Sequence, residues 1–340
     1  MIKLQYIILA GGSGERFWPL STRETPKQFL KLFGDKTLIR QTFERIAGST
    51  EPEKVFLITS KDQVERTSLE IPEIPSENIL GEPFRRNTGP ACMAGMLMAA
   101  DSEPVMVLPA DHRIPSKEKF IALCNVAAKG SEKLGGLFTF GIRPTRAETG
   151  YGYIETGQEM ASGIREVLQF HEKPDRKRAE SYVEKENYFW NSGMFLWRKA
   201  DFLEEMKGCS PDVFNALIDM NPLEEDSVYE SYKRSPSISI DYALMEKSRN
   251  VFNVPADLEW SDVGSWQSIR ELEGYSDDGG KNVLVDSKQV FIRNDESKTV
   301  GVVGLEGIIV VNTSDGLLIA SEEEAQKVRE VAKRIKGEEI

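Results

Sequence analysis

The stretch Tyr6-Ile7-Ile8-Leu9-Ala10-Gly11-Gly12-Ser13-Gly14-Glu15-Arg16 runs from an unbroken apolar segment into a glycine-rich loop closed by an arginine. A short apolar run bounded by glycines suits a strand buried on both faces of a parallel sheet. Similar runs recur at residues 55–59 and 105–108, with helical patterns between them at 38–47, 63–70 and 91–101. This alternation predicts an α/β, doubly wound core. Ligands in such folds gather at the carboxyl ends of the strands. The loop 11–16 and Asp111 both fall at such ends.

Farther along, residues 135–141, 150–155 and 164–170 read as strands, and 175–185, 200–206 and 213–220 as helices. Asp175 is placed to cap the first of these helices. The texture changes at the linker-like Ser276-Asp277-Asp278-Gly279-Gly280. Short Val/Ile-rich runs then follow at 282–286, 290–293, 299–303, 308–312 and 317–320. They predict a small β-helix-like unit, closed by an amphipathic helix over 322–335 with acidic residues at its start and basic ones at its end. The domains are expected to be 1–278 and 279–340.

Composition narrows the function. The 340 residues are 40% hydrophobic and 29% charged, which is ordinary globular usage. The net charge of -12 disfavours nucleic-acid binding. No apolar run is long enough to span a bilayer, and residues 1–10 read as a strand rather than a signal peptide. Cys92, Cys124 and Cys209 are odd in number and match no metal motif, so they are expected to be reduced thiols. His112 and His171 cannot build a His-rich metal site. A cytoplasmic location is expected.

The glycine loop lets backbone amides approach a polyphosphate and form an anion nest, with Arg16 as a bidentate ligand. It fits neither familiar pattern. Phe17 stands where the dinucleotide fingerprint needs a third glycine, and the Gly-Lys-Ser/Thr of a P-loop is missing. Alone, the loop reads equally well as a tight turn with a surface arginine. Lys27, in Pro26-Lys27-Gln28-Phe29, could fold over the same phosphates, though a lone lysine is usually a solvated charge.

The segment from Leu9 through Gly11-Gly12-Ser13-Gly14-Glu15-Arg16 to Ser21, with Pro26-Lys27-Gln28-Phe29, resembles the signature of bacterial mannose-1-phosphate guanylyltransferases, within the sugar-nucleotide pyrophosphorylases. Glu82-Pro83 with Arg86-Asn87-Thr88 resembles that family's base-contacting segment, and Leu108-Pro109-Ala110-Asp111-His112 its first metal motif. Glu148-Thr149-Gly150-Tyr151-Gly152-Tyr153-Ile154 and Glu172-Lys173-Pro174 resemble its sugar-phosphate segments. Trp190-Asn191-Ser192-Gly193-Met194-Phe195 and Trp260-Ser261-Asp262-Val263-Gly264-Ser265-Trp266 complete the set. Gly89 and Ala147 depart from the expected alanine and proline. The resemblance implies a Rossmann-like mixed sheet of the glycosyltransferase-A type for the catalytic core.

It also implies the reaction: GTP and mannose 1-phosphate give GDP-mannose and diphosphate by in-line attack on the α-phosphorus. Arg16 and Lys27 would hold the triphosphate, and Lys173 the sugar phosphate. Asp111 and Asp262 would bind Mg²⁺, to which hard carboxylate oxygens suit. Leu9, Ala10, Gly11, Gly12, Ser13, Gly14, Glu82, Pro83, Asn87, Thr88 and Asp111 would line the nucleotide. Gly150, Tyr151, Gly152, Glu172, Asn191 and Asp262 would line the sugar phosphate. Glu82, Asn87 or the backbone over residues 9–12 are candidates to read guanine, a choice that rests on the resemblance. Structural readings compete: Asp111 and Asp262 as turn caps, Glu172 and Asn191 in buried hydrogen bonds.

Alternatives are another sugar 1-phosphate or nucleotide, or a silent relative that only senses nucleotide-sugar. The latter would be free to lose some of Arg16, Lys27, Asp111, Lys173 and Asp262, which are all present. An oxidoreductase or GTPase is disfavoured by the failed fingerprints. Some bacterial members carry a cupin-type isomerase domain. This chain ends short of one, and no mannose-6-phosphate isomerase activity is expected. A homodimer is expected, built on the β unit. No nucleic-acid or membrane partner is expected.

Overall fold

The computed structural model describes residues 2–12, 14–22 and 24–337. They form two compact units. The first comprises Met1–Gly11, Phe43–Ala110 and Ile114–Trp260. Its strands are β1 Gln5–Ala10, β2 Val55–Ser60, β3 Ile79–Glu82, β4 Val105–Pro109, β5 Leu137–Ile142, β6 Tyr153–Ala161, β7 Ile164–His171, β8 Tyr188–Trp197 and β9 Val251–Ala256. They make one sheet in the order β3-β2-β1-β4-β8-β5-β9-β7-β6. The first four strands are parallel, and the apolar runs predict three of them, β1, β2 and β4. β8 then enters antiparallel to both β4 and β5, which makes the sheet mixed.

Burial explains the local choices. Ile7 and Ile8 of β1 are fully buried. The helix Thr88–Met98 is buried from Gly89 through Met96, so it has no polar face to show as a periodic pattern. It begins three residues before the expected 91–101, at a cap formed by Asn87. Several elements are absent from the sequence reading, among them β3, β9 and the helices Glu225–Arg234 and Trp266–Glu273; two more show why. One is β8 itself, whose residues Trp190 to Phe195 are read as a family motif carrying the candidate Asn191 rather than as a strand. The other is the 18-residue helix Lys117–Leu134, capped by the Ser116 side chain. Its buried residues include the small Ala127, Ala128 and Gly130, a weak apolar signal.

The second unit comprises Gly12–Thr42, Asp111–Arg113 and Ser261–Ile340. Its strands are β10 Asn282–Val285, β11 Lys288–Asn294, β12 Val300–Val303, β13 Glu306–Thr313 and β14 Gly316–Ser321. β10 lies parallel to β12 and β11 parallel to β13, each residue facing the one 18 positions on: Asn282 with Val300, Lys288 with Glu306. That constant offset defines one coil of a β-helix. Asn312 Nδ2 donates to Asn294 Oδ1 at 3.0 Å, one coil apart.

β11 and β13 are apolar on both faces because each separates two cores. Val290, Ile292 and Val310 join Val302 in one. Phe291, Ile309 and Val311 join Phe17, Leu30, Val263, Trp266 and Ile269 in the other. This second core draws residues from Ser261 onward into the unit, ahead of the linker-like 276–280. The segment expected as one helix over 322–335 divides into a 3-10 stretch, Glu322–Lys327, and the α-helix Val328–Lys336.

Trp266 is the hub of the second core: it is fully buried, meets Phe17 edge-on at 5.4 Å, and donates from Nε1 to the Trp18 carbonyl at 3.0 Å. Trp266→Ala is expected to cost ~3–5 kcal/mol in denaturant unfolding followed by tryptophan fluorescence and circular dichroism. A loss below about 1 kcal/mol would contradict this packing.

Candidate active site

In the second unit the glycine loop is built around Lys27. Gly14 has φ 66°, and a Cβ there would lie 2.5 Å from Lys27 Cβ and 2.6 Å from Lys27 N. Only glycine allows both this conformation and this approach. The turn Glu15–Phe17 follows, buries Phe17, and directs Arg16 Nη1 to the Gly264 carbonyl at 3.1 Å. Ser13 lies outside the described residues.

Lys27 is buried, and its ammonium donates to Asp111 Oδ2 at 2.7 Å and to the Asp262 backbone carbonyl at 2.7 Å. The expected reach of Lys27 toward phosphate is thus joined by a structural role inside the protein. A two-bond ladder aligns the same segments: Arg113 N donates to Ser261 O at 2.9 Å, and Ser261 N to Arg113 O at 3.1 Å. The two aspartates, remote in sequence, are therefore neighbours on adjoining loops. Withdrawal from water raises the Asp111 pKa, but the charge of Lys27 outweighs it and holds this carboxyl below its ordinary value.

The backbone around Asp262 is strained. Val263 adopts φ 49°, which a β-branched residue rarely does. It is fully buried, and its N–H donates to Ser261 Oγ at 3.1 Å. Core packing thus maintains a conformation that costs ~1–3 kcal/mol and lays the Asp262 carboxylate over Gly264.

In the first unit, Leu9, Ala10 and Gly11 end β1. Leu9 O accepts from Ala110 N at 2.9 Å and Ala10 O from Thr59 Oγ1 at 3.2 Å. Glu82 ends β3, Pro83 follows it, and Glu82 Oε2 stands 3.2 Å from where a Cβ on Gly11 would be. Among the described residues neither Glu82 Oε1 nor the Tyr232 hydroxyl has a hydrogen-bond partner. Burial pushes the Glu82 pKa up to about 8, with the charge of Arg85 pulling the other way. Glu82 is thus a neutral acid near pH 7, offering an O–H as well as an acceptor.

Asn87 and Thr88 have their side chains engaged: Asn87 Oδ1 accepts from Thr88 N at 2.8 Å, and Thr88 Oγ1 from Ile240 N at 2.9 Å. The departure at Gly89 has a physical cause here. A Cβ would lie 2.7 Å from the Ile238 carbonyl, which accepts from Gly89 N at 2.9 Å.

The residues expected to line the sugar phosphate, Asp262 apart, also lie in this unit. Gly150 N donates to Glu148 Oε1 at 3.0 Å. Tyr151 stands edge-on to Trp190 at 5.3 Å and to Trp260 at 5.4 Å. Asn191 N donates to Gly152 O at 2.8 Å, and the Glu172 carboxylate packs against Gly152. Lys173 Nζ pairs with Glu172 Oε1 at 2.9 Å. The bond before Pro174 predicts an extended Lys173, yet its φ is 45°. The chain must turn from the end of β7 into the helix Arg176–Val183 within four residues, and that turn overrides the pre-proline preference.

Asp241, which the sequence reading passed over, is bonded to this group. It opens a π-turn, Asp241–Met245, and its Oδ1 accepts from Asn191 Nδ2 at 2.7 Å. Withdrawal from water and the charge of Glu172 push its pKa up to about 6, against the Asn191 bond and Lys173. The only sequence signal is an acidic residue ahead of an apolar stretch, which reads as a helix start.

Glu82 gives a measurable signature. A folded pKa of about 8 exceeds the unfolded value, so the folded state keeps a proton that the unfolded chain releases. Stability should therefore fall as pH rises from about 5 to about 8, by up to ~1.4 kcal/mol per unit. Glu82→Gln should gain on the wild type across that window in urea unfolding. A difference that stays flat with pH would refute the buried neutral acid.

Comparison with known proteins gives the family. Residues 5–277 match the family model of the nucleotidyl transferases, and residues 280–335 that of the MannoseP isomerase/GMP-like β-helix domain. The chain is 40% identical to the alginate biosynthesis protein AlgA of Pseudomonas putida, over 97% of this chain and 71% of that protein. It is 38% identical to the mannose-1-phosphate guanylyltransferase of Escherichia coli K12, over 99% of this chain and 74% of that one. A crystal structure described as mannose-1-phosphate geranyltransferase from Thermus thermophilus superimposes with a TM-score of 0.87 at 33% identity, covering 98% of this chain and all of that one. The chain belongs to the nucleotidyl transferase family and is a nucleotidyltransferase carrying a MannoseP isomerase/GMP-like β-helix domain.

Proposed function

We propose that the protein is a mannose-1-phosphate guanylyltransferase, converting GTP and α-D-mannose 1-phosphate into GDP-mannose and diphosphate. The observation that carries this reading is the charged set Arg16, Lys27, Asp111, Lys173 and Asp262, present on a chain 38% identical to an enzyme of that name along nearly its whole length.

An oxygen of the sugar phosphate bonds to the α-phosphorus as the bond from that phosphorus to the bridging oxygen breaks, and diphosphate leaves with that oxygen. The nucleophile is already anionic, so no side chain has to take a proton. The task is to hold two polyanions in line and offset their charge. Arg16 and Lys27 serve the triphosphate. An ammonium has three donors; Lys27 commits two inside the protein and keeps one for a phosphate oxygen. Backbone amides over residues 9–14 take further phosphate oxygens, while Glu82, Pro83, Asn87 and Thr88 serve the purine. Lys173 holds the sugar phosphate, with Gly150, Tyr151, Gly152, Glu172 and Asn191 around the sugar.

Asp111 and Asp262 fit Mg²⁺ or another divalent cation. Both offer hard oxygens, and Lys27 keeps Asp111 ionised. Among the described residues no group of three or more His, Cys, Asp or Glu forms a complete protein cage. The remaining ligands would be phosphate oxygens and water, as Mg²⁺ usually takes them. Such a cation supplies charge neutralisation at the phosphates.

Diphosphate release from GTP plus mannose 1-phosphate is expected to stop on chelation. It should fall at least about a hundredfold in Asp111→Asn and in Asp262→Asn, as when an essential electrostatic group is lost. Full activity in either variant would reject the carboxylate pair. Efficient use of another sugar 1-phosphate or triphosphate, with none of this pair, would reject the substrate assignment.

A homodimer and a cytoplasmic location complete the proposal. No helix among the described residues is long and apolar enough to cross a membrane. Val283 and Val285 of β10 and Val303 of β12 face outward and are exposed, while Leu284 and Val302 turn into the coil. A second copy covering these valines would explain an apolar stripe on a paired, parallel surface. Light scattering should give a dimer that Val285→Asp with Val303→Asp reduces to a monomer; a monomeric wild type would overturn it.

A further inference from the structure

The segment before and through the π-turn is tied to both groups of substrate residues in the first unit. Ile238 N donates to Arg86 O at 3.1 Å, Gly89 N to Ile238 O at 2.9 Å, and Ile240 N to Thr88 Oγ1 at 2.9 Å. These bonds fasten the segment beside the start of the helix Thr88–Met98. One residue later, Asp241 Oδ1 takes the Asn191 amide at 2.7 Å. Glu246 N closes the wide turn onto Asp241 O at 2.9 Å. Such wide turns recur at functional sites.

Asn191 itself has little freedom. Its Oδ1 accepts from Gly193 N at 3.1 Å, and its backbone N–H is given to Gly152. With Nδ2 bound to Asp241, both ends of the carboxamide are specified, so the plane of the amide is set. One amide N–H remains for a ligand. Without Asp241 only neutral bonds to Oδ1, from Gly193 N and from Thr139 Oγ1 at 3.5 Å, would orient the group, and bonds to a charged acceptor are the stronger kind.

We infer that Asp241 is a positioning residue for the sugar 1-phosphate: it fixes the Asn191 carboxamide from a turn that is itself anchored to Arg86, Thr88 and Gly89. This rests on the proposed function for the identity of the substrate, but not on which hexose it is. Glu172 and Lys173 lie in the same charged group, as their influence on Asp241 indicates. Asp241 does not replace them. It acts through Asn191.

Steady-state kinetics tests this. Asp241→Ala should raise KM for mannose 1-phosphate about tenfold while leaving KM for GTP within about twofold, the split expected for one lost charged hydrogen bond at one substrate. Asp241→Asn can still offer a carbonyl oxygen to Asn191 and should stay within about threefold of wild type. Asn191→Ala should resemble Asp241→Ala, and the double variant should be no worse than either, because the two act as one unit. Thermal unfolding of each variant identifies a folding failure; if Asp241→Ala does not fold, Asp241→Asn with Asn191→Ala carries the same comparison.

An unchanged sugar KM in folded Asp241→Ala, an equal rise in both KM values, or additive effects in the double variant would overturn the inference. So would an Asp241→Asn variant as impaired as Asn191→Ala. A wild type that releases no diphosphate with any sugar 1-phosphate would overturn the functional reading, and this inference with it. A wild type that prefers another hexose phosphate would not, and the same split is then read with that substrate.

Discussion

The ammonium of Lys27 joins what the sequence keeps far apart. It bonds the Asp111 carboxylate and the carbonyl of Asp262, and its own backbone is reached only because residue 14 has no Cβ. A charge paired in a partly dry setting is expensive to strand, so the glycine loop and both aspartate loops of this unit are energetically one object. Phe17 and Val263 carry that object into the core built on Trp266. The chemistry of the charged groups and the packing of the β-helix are therefore not separable.

Strain and burial work together in the same place. Val263 holds a left-handed backbone beside Asp262, and its side chain is fully buried among apolar neighbours. Hydrophobic burial of such a side chain is of the same order as the cost of the conformation. Elsewhere Lys173 shows the same left-handed backbone in a tight strand-to-helix connection. Both unusual residues flank candidate ligands rather than ordinary turns.

Much of the fold was legible because parallel strands are apolar on both faces: β1, β2 and β4 announce themselves as unbroken runs between glycine and polar punctuation. β8 did not, since Asn191, Ser192 and Gly193 interrupt its pattern with groups needed for hydrogen bonds. The helix Lys117–Leu134 escaped because two alanines, a glycine and a serine take up much of its buried face, leaving Phe120 and Cys124 as its larger buried residues. At the candidate site, residue types and motif order were readable, and the family followed from them. Protonation and partnership were not. Nothing local in Glu82 reveals that burial will keep it neutral, and nothing in Asp241 reveals that Asn191 will find it. Gly89 looked like an arbitrary departure until the Ile238 carbonyl was seen against it. These are properties of tertiary neighbours, invisible to spacing along the chain.

The constant 18-residue offset of the coils has a consequence for how this region can change length. β11 and β13 send alternate side chains into different cores, so a single inserted residue would exchange Val290 and Ile292 with Phe291 and disorder both. A whole coil, by contrast, can be added or lost with every remaining side chain still facing its own core. Length variation here is quantised, and descent with insertions should proceed in coil-sized steps.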